Sequence, residues 1–272
     1  MSEQQKIAIL GSGNIGLSLA RGLVKSGIYQ PDQIILTRRN IGALALLAKE
    51  GYQTTDNNSD AVKLADIVVL AVLPQQLNKL LYEIRPVLKK SKHLLISVVS
   101  GVNCHDIRVQ SGSQAQVVRA MPNTAIAIGQ SMTCIASDNA SAENMGIVKS
   151  MFDTVGVTIQ INEELMTSAT ALCACGIAFF LRSIRAASQG GTEIGFHAHD
   201  ALRMAAQTAK GAADLLLQLS SHPEQEIDKV TSPKGCTIAG LNEMEHNGFS
   251  SALIKGIKTS AEKAAILYDK EG

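Results

Sequence analysis

The chain has 272 residues, of which 46% are hydrophobic, 18% charged and 3% aromatic, and its formal net charge is +1. Such a length accommodates one large domain or two ordinary ones, and the apolar share excludes a disordered chain. A charge so near zero sets up no field to draw in nucleic acid or an anionic membrane, so neither is expected as a partner.

From the N-terminal side, KIAIL (Lys6–Leu10) is a short apolar run that breaks into GSGNIG. Helical periodicity follows through Ile15, Leu19, Leu23 and Val24 and closes at Gly27. QIILT is a second apolar run ending at Thr37, and IGALALLAKEG reads as a helix stopped by Gly51. ADIVVLAV (65–72) and HLLISVV (93–99) are continuous apolar runs, the mark of strands covered on both faces, with a helical pattern from Gln75 to Leu88 between them. QVVRAM (116–121) and Ser131–Ala136 read as strands, AENMGIVKSMFDTVG as a helix and VTIQI as a last short strand. Strand–helix alternation of this kind predicts a doubly wound, mostly parallel sheet of Rossmann type. From Glu163 onward only helical periodicity appears, at about 163–189, 197–220, 224–229, 236–246 and 250–269. The expected division is a dinucleotide-binding domain over 1–160 and an all-α domain over 161–272.

Leu165–Leu181 holds 17 residues without a charge, at the bottom edge of what spans a bilayer. Its Thr, Ser and Ala content and the following Arg182 and Arg185 favour a core helix, one that two subunits would bury between them. The five cysteines (104, 134, 173, 175 and 236) include no CxxC pair and no neighbouring histidine at zinc spacing. Reduced thiols and a cytoplasmic location are therefore expected, and MSEQQKIAIL has no secretory-leader pattern. His197, His199 and Asp200 precede a helix and read as its capping region, so no metal is assigned.

Gly11, Gly13 and Gly16 stand between the first strand and the first helix, in the order of a dinucleotide fingerprint. Gly11 permits the turn, Gly13 lets the backbone approach a pyrophosphate, and Gly16 allows close helix–sheet packing. Where the second strand ends, an NAD enzyme usually places a carboxylate for the ribose hydroxyls. Here the chain reads Thr37, Arg38, Arg39. Two guanidiniums suit a 2′-phosphate, which favours NADP(H) and leaves NADH as the alternative donor. Far downstream, VTSPKGCTIAGL places Ser232, Pro233, Lys234, Gly235, Cys236 and Thr237 ahead of a helix start. That arrangement aims free N–H groups and a hydroxyl at a small anion.

In order and spacing, ILGSGNIG, LAVLPQQ, VVRAMPNTAIAIG and VTSPKGCTIAGLNEMEHNGF resemble the motifs of the pyrroline-5-carboxylate reductase family. TALCACGIAFF and AAQTAKGAADLL resemble its central helices. The resemblance covers nearly the whole chain. It implies reduction of 1-pyrroline-5-carboxylate to L-proline, the last step of proline biosynthesis, by a homodimer or an oligomer of dimers. The implied active site lies between the cofactor of one subunit and helices of the dimer. By position, Gly11, Ser12, Gly13, Asn14, Ile15 and Gly16 correspond to the phosphate loop. Asn58, Ala71, Val72, Leu73 and Pro74 correspond to adenosine- and nicotinamide-side contacts, and Met121, Pro122 and Asn123 to the nicotinamide wall. Residues Ser232 to Thr237 correspond to the carboxylate-binding loop, with the Thr237 hydroxyl nearest the ring nitrogen.

The chain departs from the family pattern at Leu73, Ala125, Lys234 and Cys236, and in CACGIA (Cys173–Ala178) where SGSGPA is usual. Lys234 has two readings, a partner for the substrate carboxylate or an exposed lysine whose stem covers apolar surface. Cys173 and Cys175 read as small residues that let helices approach. Two further functions stay open at this stage. One is a reductase of another small imine or a β-hydroxyacid, although no lysine is placed as a general base after Glu163. The other is a catalytically weak NADP-binding regulatory protein.

Overall fold

A computed structural model describes residues 5–266. Short runs of Ile, Leu and Val form most of its strands, because a strand buried on both faces of a sheet is stabilised by apolar side chains on both. The strands are β1 (Ile7–Leu10), β2 (Ile34–Thr37), β3 (Gln53–Thr55), β4 (Ile67–Leu70), β5 (Leu94–Ser97), β6 (Gln116–Met121), β7 (Ser131–Ala136) and β8 (Gly156–Gln160). They form one sheet in the order β3-β2-β1-β4-β5-β6-β7-β8, and every neighbouring pair is parallel except β6 with β7.

Six helices accompany the sheet: α1 (Asn14–Lys25), α2 (Ala45–Lys49), α3 (Asn58–Leu64), α4 (Pro74–Ile84), α5 (Cys104–Ser111) and α6 (Ala142–Asp153). Successive strand residues face opposite ways. Ile7, Ile9, Leu36 and Val69 therefore pack with Leu19 and Leu23 of α1 and Phe152 of α6. Ala8, Leu10, Ile35 and Val68 pack on the other side with Val62 of α3, Leu77 and Leu81 of α4, and Ile107 of α5. The sequence pattern did not predict β3, α3 or α5. β3 is a three-residue edge strand of polar residues, and α5 has little apolar periodicity. Instead α3 and α5 are started by Asn57 and Asn103, whose side chains accept from the N–H groups of Asp60 and Asp106.

After β8 the chain is helical: α7 (Met166–Ala169), a π-helical turn (Thr170–Cys175), α8 (Gly176–Glu193), α9 (Ala198–Leu219), α10 (Pro223–Val230), α11 (Cys236–His246) and α12 (Phe249–Ala264). What periodicity shows as one helix over 163–189 is thus assembled in pieces. Met166 and Ala169 are buried against Met121, Cys134 and Ala136 of the sheet. By contact the chain forms two units: one runs to Cys175 and takes up the chain again from Ser260, and the other is Gly176–Thr259. The end of the predicted last helix, 267–269, lies outside the described residues. His197 is the N-cap of α9 without a side-chain bond to the helix, and Asp200 lies in its first turn.

The stretch Glu163–Glu193 is long and apolar enough to cross a membrane by length and composition, and only 22% of its most apolar window is buried within this chain. Leu172, Phe180 and Leu181 are exposed. The start of the expected core helix is thus buried, while these apolar residues farther along it are left uncovered by this chain.

Candidate cofactor and substrate site

The chain runs outward from β1 to β2 and β3, then returns across β1 to β4. The carboxyl ends of β1 and β4 therefore meet at a topological switch point, where open α/β sheets bind ligands. The Gly11–Gly16 loop lies at that edge. Gly11 has φ +100°, and a Cβ there would lie 2.9 Å from Val72 Cγ1 and closer still to the Ala71 carbonyl. The phosphate loop thus touches the Ala71–Pro74 segment directly. Gly13, by contrast, faces open space on its Cβ side.

The start of α1 is bare. It has no side-chain cap bond and no acidic residue in its first turn, and first-turn amides lack intrahelical partners. Ser12 is buried, and its hydroxyl has no hydrogen-bond partner among the described residues. An orphaned buried hydroxyl beside an open glycine and an uncompensated helix N-terminus fits a phosphate group, so the residues present suit a dinucleotide. Asn14 and Ile15 are the first two residues of that helix.

Arg38 and Arg39 follow β2, are exposed, and have no carboxylate partner among the described residues. Thr37 and Asn58 are joined: the Thr37 hydroxyl donates to Asn58 Oδ1 at 2.6 Å, and Asn58 Nδ2 donates to Glu83 Oε2 at 3.1 Å. Both side-chain polar atoms of Asn58, an expected adenosine contact, are therefore engaged within the protein. Leu73 is exposed and caps α4 by position, and Pro74 begins that helix. Met121 and Pro122 are buried at the end of β6. Asn123 donates to the Cys173 carbonyl at 3.4 Å and accepts from the Ala125 N–H at 3.1 Å, tying the expected nicotinamide wall to the π-helical turn. Cys173 packs beside Cys134, and that neighbouring thiol holds the Cys173 thiol below its ordinary value against the effect of burial.

The Ser232–Thr237 segment belongs to the second unit. The Gly235 N–H donates to the Ser232 carbonyl at 2.9 Å, closing a turn. A Cβ on Gly235 would lie 2.9 Å from the Ser232 carbonyl oxygen and nearer still to Ser232 Oγ, so a side chain there would force the turn to shift. Gly235 is the N-cap of α11, again with no side-chain cap and no acid in the first turn. Ser232, Pro233, Lys234 and Cys236 are exposed and Thr237 is half-buried. Neither Lys234 nor the Thr237 hydroxyl has a side-chain partner among the described residues. Lys234 has φ +57°, a left-handed conformation that favours glycine.

Sequence reasoning missed a second polar cluster. Cys104, Asp138 and Glu163 lie close together, but arginines neutralise both carboxylates. Arg108 grips Asp138 with two nitrogens, and Arg119 lies 3.5 Å from Glu163. Glu163 also accepts from the Cys104 N–H at 2.6 Å, capping α5 from a distant part of the chain. The clue in the sequence is Arg119, an arginine set among the Val, Ala and Met residues of β6.

Fold and phosphate loop together define a Rossmann-type dinucleotide-binding protein with a helical C-terminal part. Residues 163–267 match the family model for pyrroline-5-carboxylate reductase dimerisation, and residues 6–101 match that for the coenzyme F420-dependent NADP oxidoreductases. Pyrroline-5-carboxylate reductase 2 of Dictyostelium discoideum is 50% identical over 97% of this chain and 94% of its own length. Reductase 1 of the same organism is 53% identical over 97% of this chain, which spans 50% of that longer protein. The solved pyrroline carboxylate reductase of Plasmodium falciparum, with NADP bound, superposes with a TM-score of 0.87 at 25% identity, covering 98% of this chain and 99% of that one. The chain belongs to the pyrroline-5-carboxylate reductase family.

Proposed function

We propose that the chain reduces 1-pyrroline-5-carboxylate to L-proline with NADPH, the last step of proline biosynthesis. The observation that carries this reading is the 50% identity to a reductase of that name along almost the full length of both chains. When bound, NADPH supplies the hydride for the C=N carbon, so the protein's own task is to bind, orient and exclude water.

At the phosphate loop, the α1 amides and the Ser12 hydroxyl hold the pyrophosphate, and Arg38 and Arg39 pair with the 2′-phosphate. Ala71–Pro74 and Met121–Asn123 form the nicotinamide side. In the second unit, the amides at the start of α11 and the Ser232–Lys234 turn hold the ring carboxylate. The Thr237 hydroxyl donates to the imine nitrogen, whose protonation makes the adjacent carbon electrophilic. The hydroxyl passes its proton to that nitrogen, and water reprotonates the Thr237 oxygen and releases hydroxide to the solvent, so no strong acid is needed. Positioning of this kind can remove up to ~7–11 kcal/mol of a barrier.

We also propose a homodimer in the cytoplasm. Supporting the dimer are the family model over 163–267 and the exposed Phe180, Leu181 and Leu217 of α8 and α9. Purified protein given NADPH and pyrroline-5-carboxylate should consume the nucleotide and form proline in equal amounts. NADPH binding without turnover would instead support a cofactor-binding regulatory role.

A further inference from the structure

The end of β2 carries more than the boundary of a specificity loop. Thr37 is 2% exposed, and its backbone and side chain both hold the phosphate loop. Its carbonyl accepts from the Ser12 N–H at 2.9 Å, and its hydroxyl oxygen accepts from the Gly11 N–H at 3.3 Å. A hydroxyl has one proton, and this one is committed to Asn58 Oδ1 at 2.6 Å, which leaves the oxygen facing Gly11 as an acceptor. Asn58 presents its oxygen to Thr37 because its NH2 group is taken by Glu83, 3.1 Å away. A carboxylate accepts and cannot donate, so Glu83 selects that orientation of the amide. The order Glu83, Asn58, Thr37, Gly11 is thus a chain of hydrogen bonds with a single polarity, reaching from the last turn of α4 to the loop that faces the nucleotide.

We propose that Thr37 is a positioning residue for cofactor binding, with Asn58 and Glu83 setting the direction of its hydroxyl. The inference rests on the NADPH reading above. Through these bonds Thr37 fixes where the amides of Gly11 and Ser12 point, and with them the bare start of α1. Ser12, whose own hydroxyl has no partner among the described residues, is held through its backbone N–H. The predicted consequence is a defect in cofactor affinity rather than in the chemical step.

The test compares Thr37→Val, which keeps shape and removes the hydroxyl, with Thr37→Ser, which restores it. NADPH binding is followed by nucleotide fluorescence, and steady-state kinetics are run well below the melting temperature. Thr37→Val should raise Kd and KM for NADPH about tenfold with kcat within about twofold of the parent, as expected when the Gly11 N–H loses its acceptor and Asn58 loses its donor at a buried site. Thr37→Ser should recover most of that affinity. A Thr37→Val protein whose Kd for NADPH matches the parent overturns the inference, even if its melting temperature falls. Should Thr37→Val not fold, the exposed Glu83→Ala decides: a rise of about two- to fivefold in KM for NADPH supports the relay, and an unchanged KM overturns it. If the parent protein itself binds no NADPH, the cofactor reading fails first and this inference falls with it.

Discussion

Gly11 and Lys234 are two left-handed residues with opposite consequences. At Gly11 a methyl group would strike the Ala71 carbonyl and strain the backbone at once. Gly11→Ala should therefore lower the melting temperature and abolish NADPH binding, read by nucleotide fluorescence. Lys234 occupies φ +57° as an L-residue, at a cost of about 1–2 kcal/mol. Glycine would relieve that strain but loses more freedom on folding, about 0.5–1 kcal/mol. Lys234→Gly should thus stabilise the protein by roughly 0.5–1 kcal/mol in urea unfolding. Its KM for the imine separates the two readings of this side chain: a rise marks a carboxylate partner, and no change marks a loop lysine. Thr237→Ala should lower kcat/KM about ten- to a thousand-fold, the span of a lost hydrogen bond with an acid–base effect. Unchanged kinetics would remove Thr237 from the mechanism.

At the scale of elements, two ion pairs fasten α5 and the segment after β8 to the sheet. Arg119 is 5% exposed, and burial lowers the pKa of its guanidinium while Glu163 opposes that shift. Removing one partner of a buried pair leaves an uncompensated charge. Glu163→Leu should cost about 3 kcal/mol in denaturant unfolding, and it also uncaps α5 at Cys104. The second pair is partly exposed. The Arg108 hydrogen bonds hold Asp138 below the usual carboxylate range, against a smaller rise from burial. A depressed folded pKa contributes stability that is fully present above the unfolded value, about 3.9. That contribution disappears as pH falls through the folded value. A double-mutant cycle on Arg108→Met and Asp138→Asn should give a coupling of roughly 0.5–1 kcal/mol at neutral pH that vanishes in strong acid. A coupling that persists at low pH would contradict this assignment.

For the whole molecule, the exposed apolar residues of α8 and α9 predict self-association. Sedimentation should report a dimer or a multiple of it, and Phe180→Glu with Leu181→Glu should shift the protein toward monomers. A monomeric parent would remove the subunit-burial argument for Leu165–Leu181. Much of this architecture was legible in advance. Continuous apolar runs mark β1, β2, β4 and β5 because a strand covered on both faces is built mostly from apolar side chains. GSGNIG marks the phosphate loop because its glycines stand between such a strand and a helical period. β3 and α5 were illegible, since one is polar and short and the other is set by a cap rather than by periodicity. The sequence by itself determined the alternation of strand and helix, the glycine loop, the two arginines after β2 and the family likeness, all of which depend on neighbours along the chain. Only the tertiary structure decided that Thr37 holds Gly11, that Asn58 faces Glu83 and that Glu163 caps α5. Hydrogen bonds between residues 21 to 59 positions apart are set by how the sheet closes, and no local pattern records them.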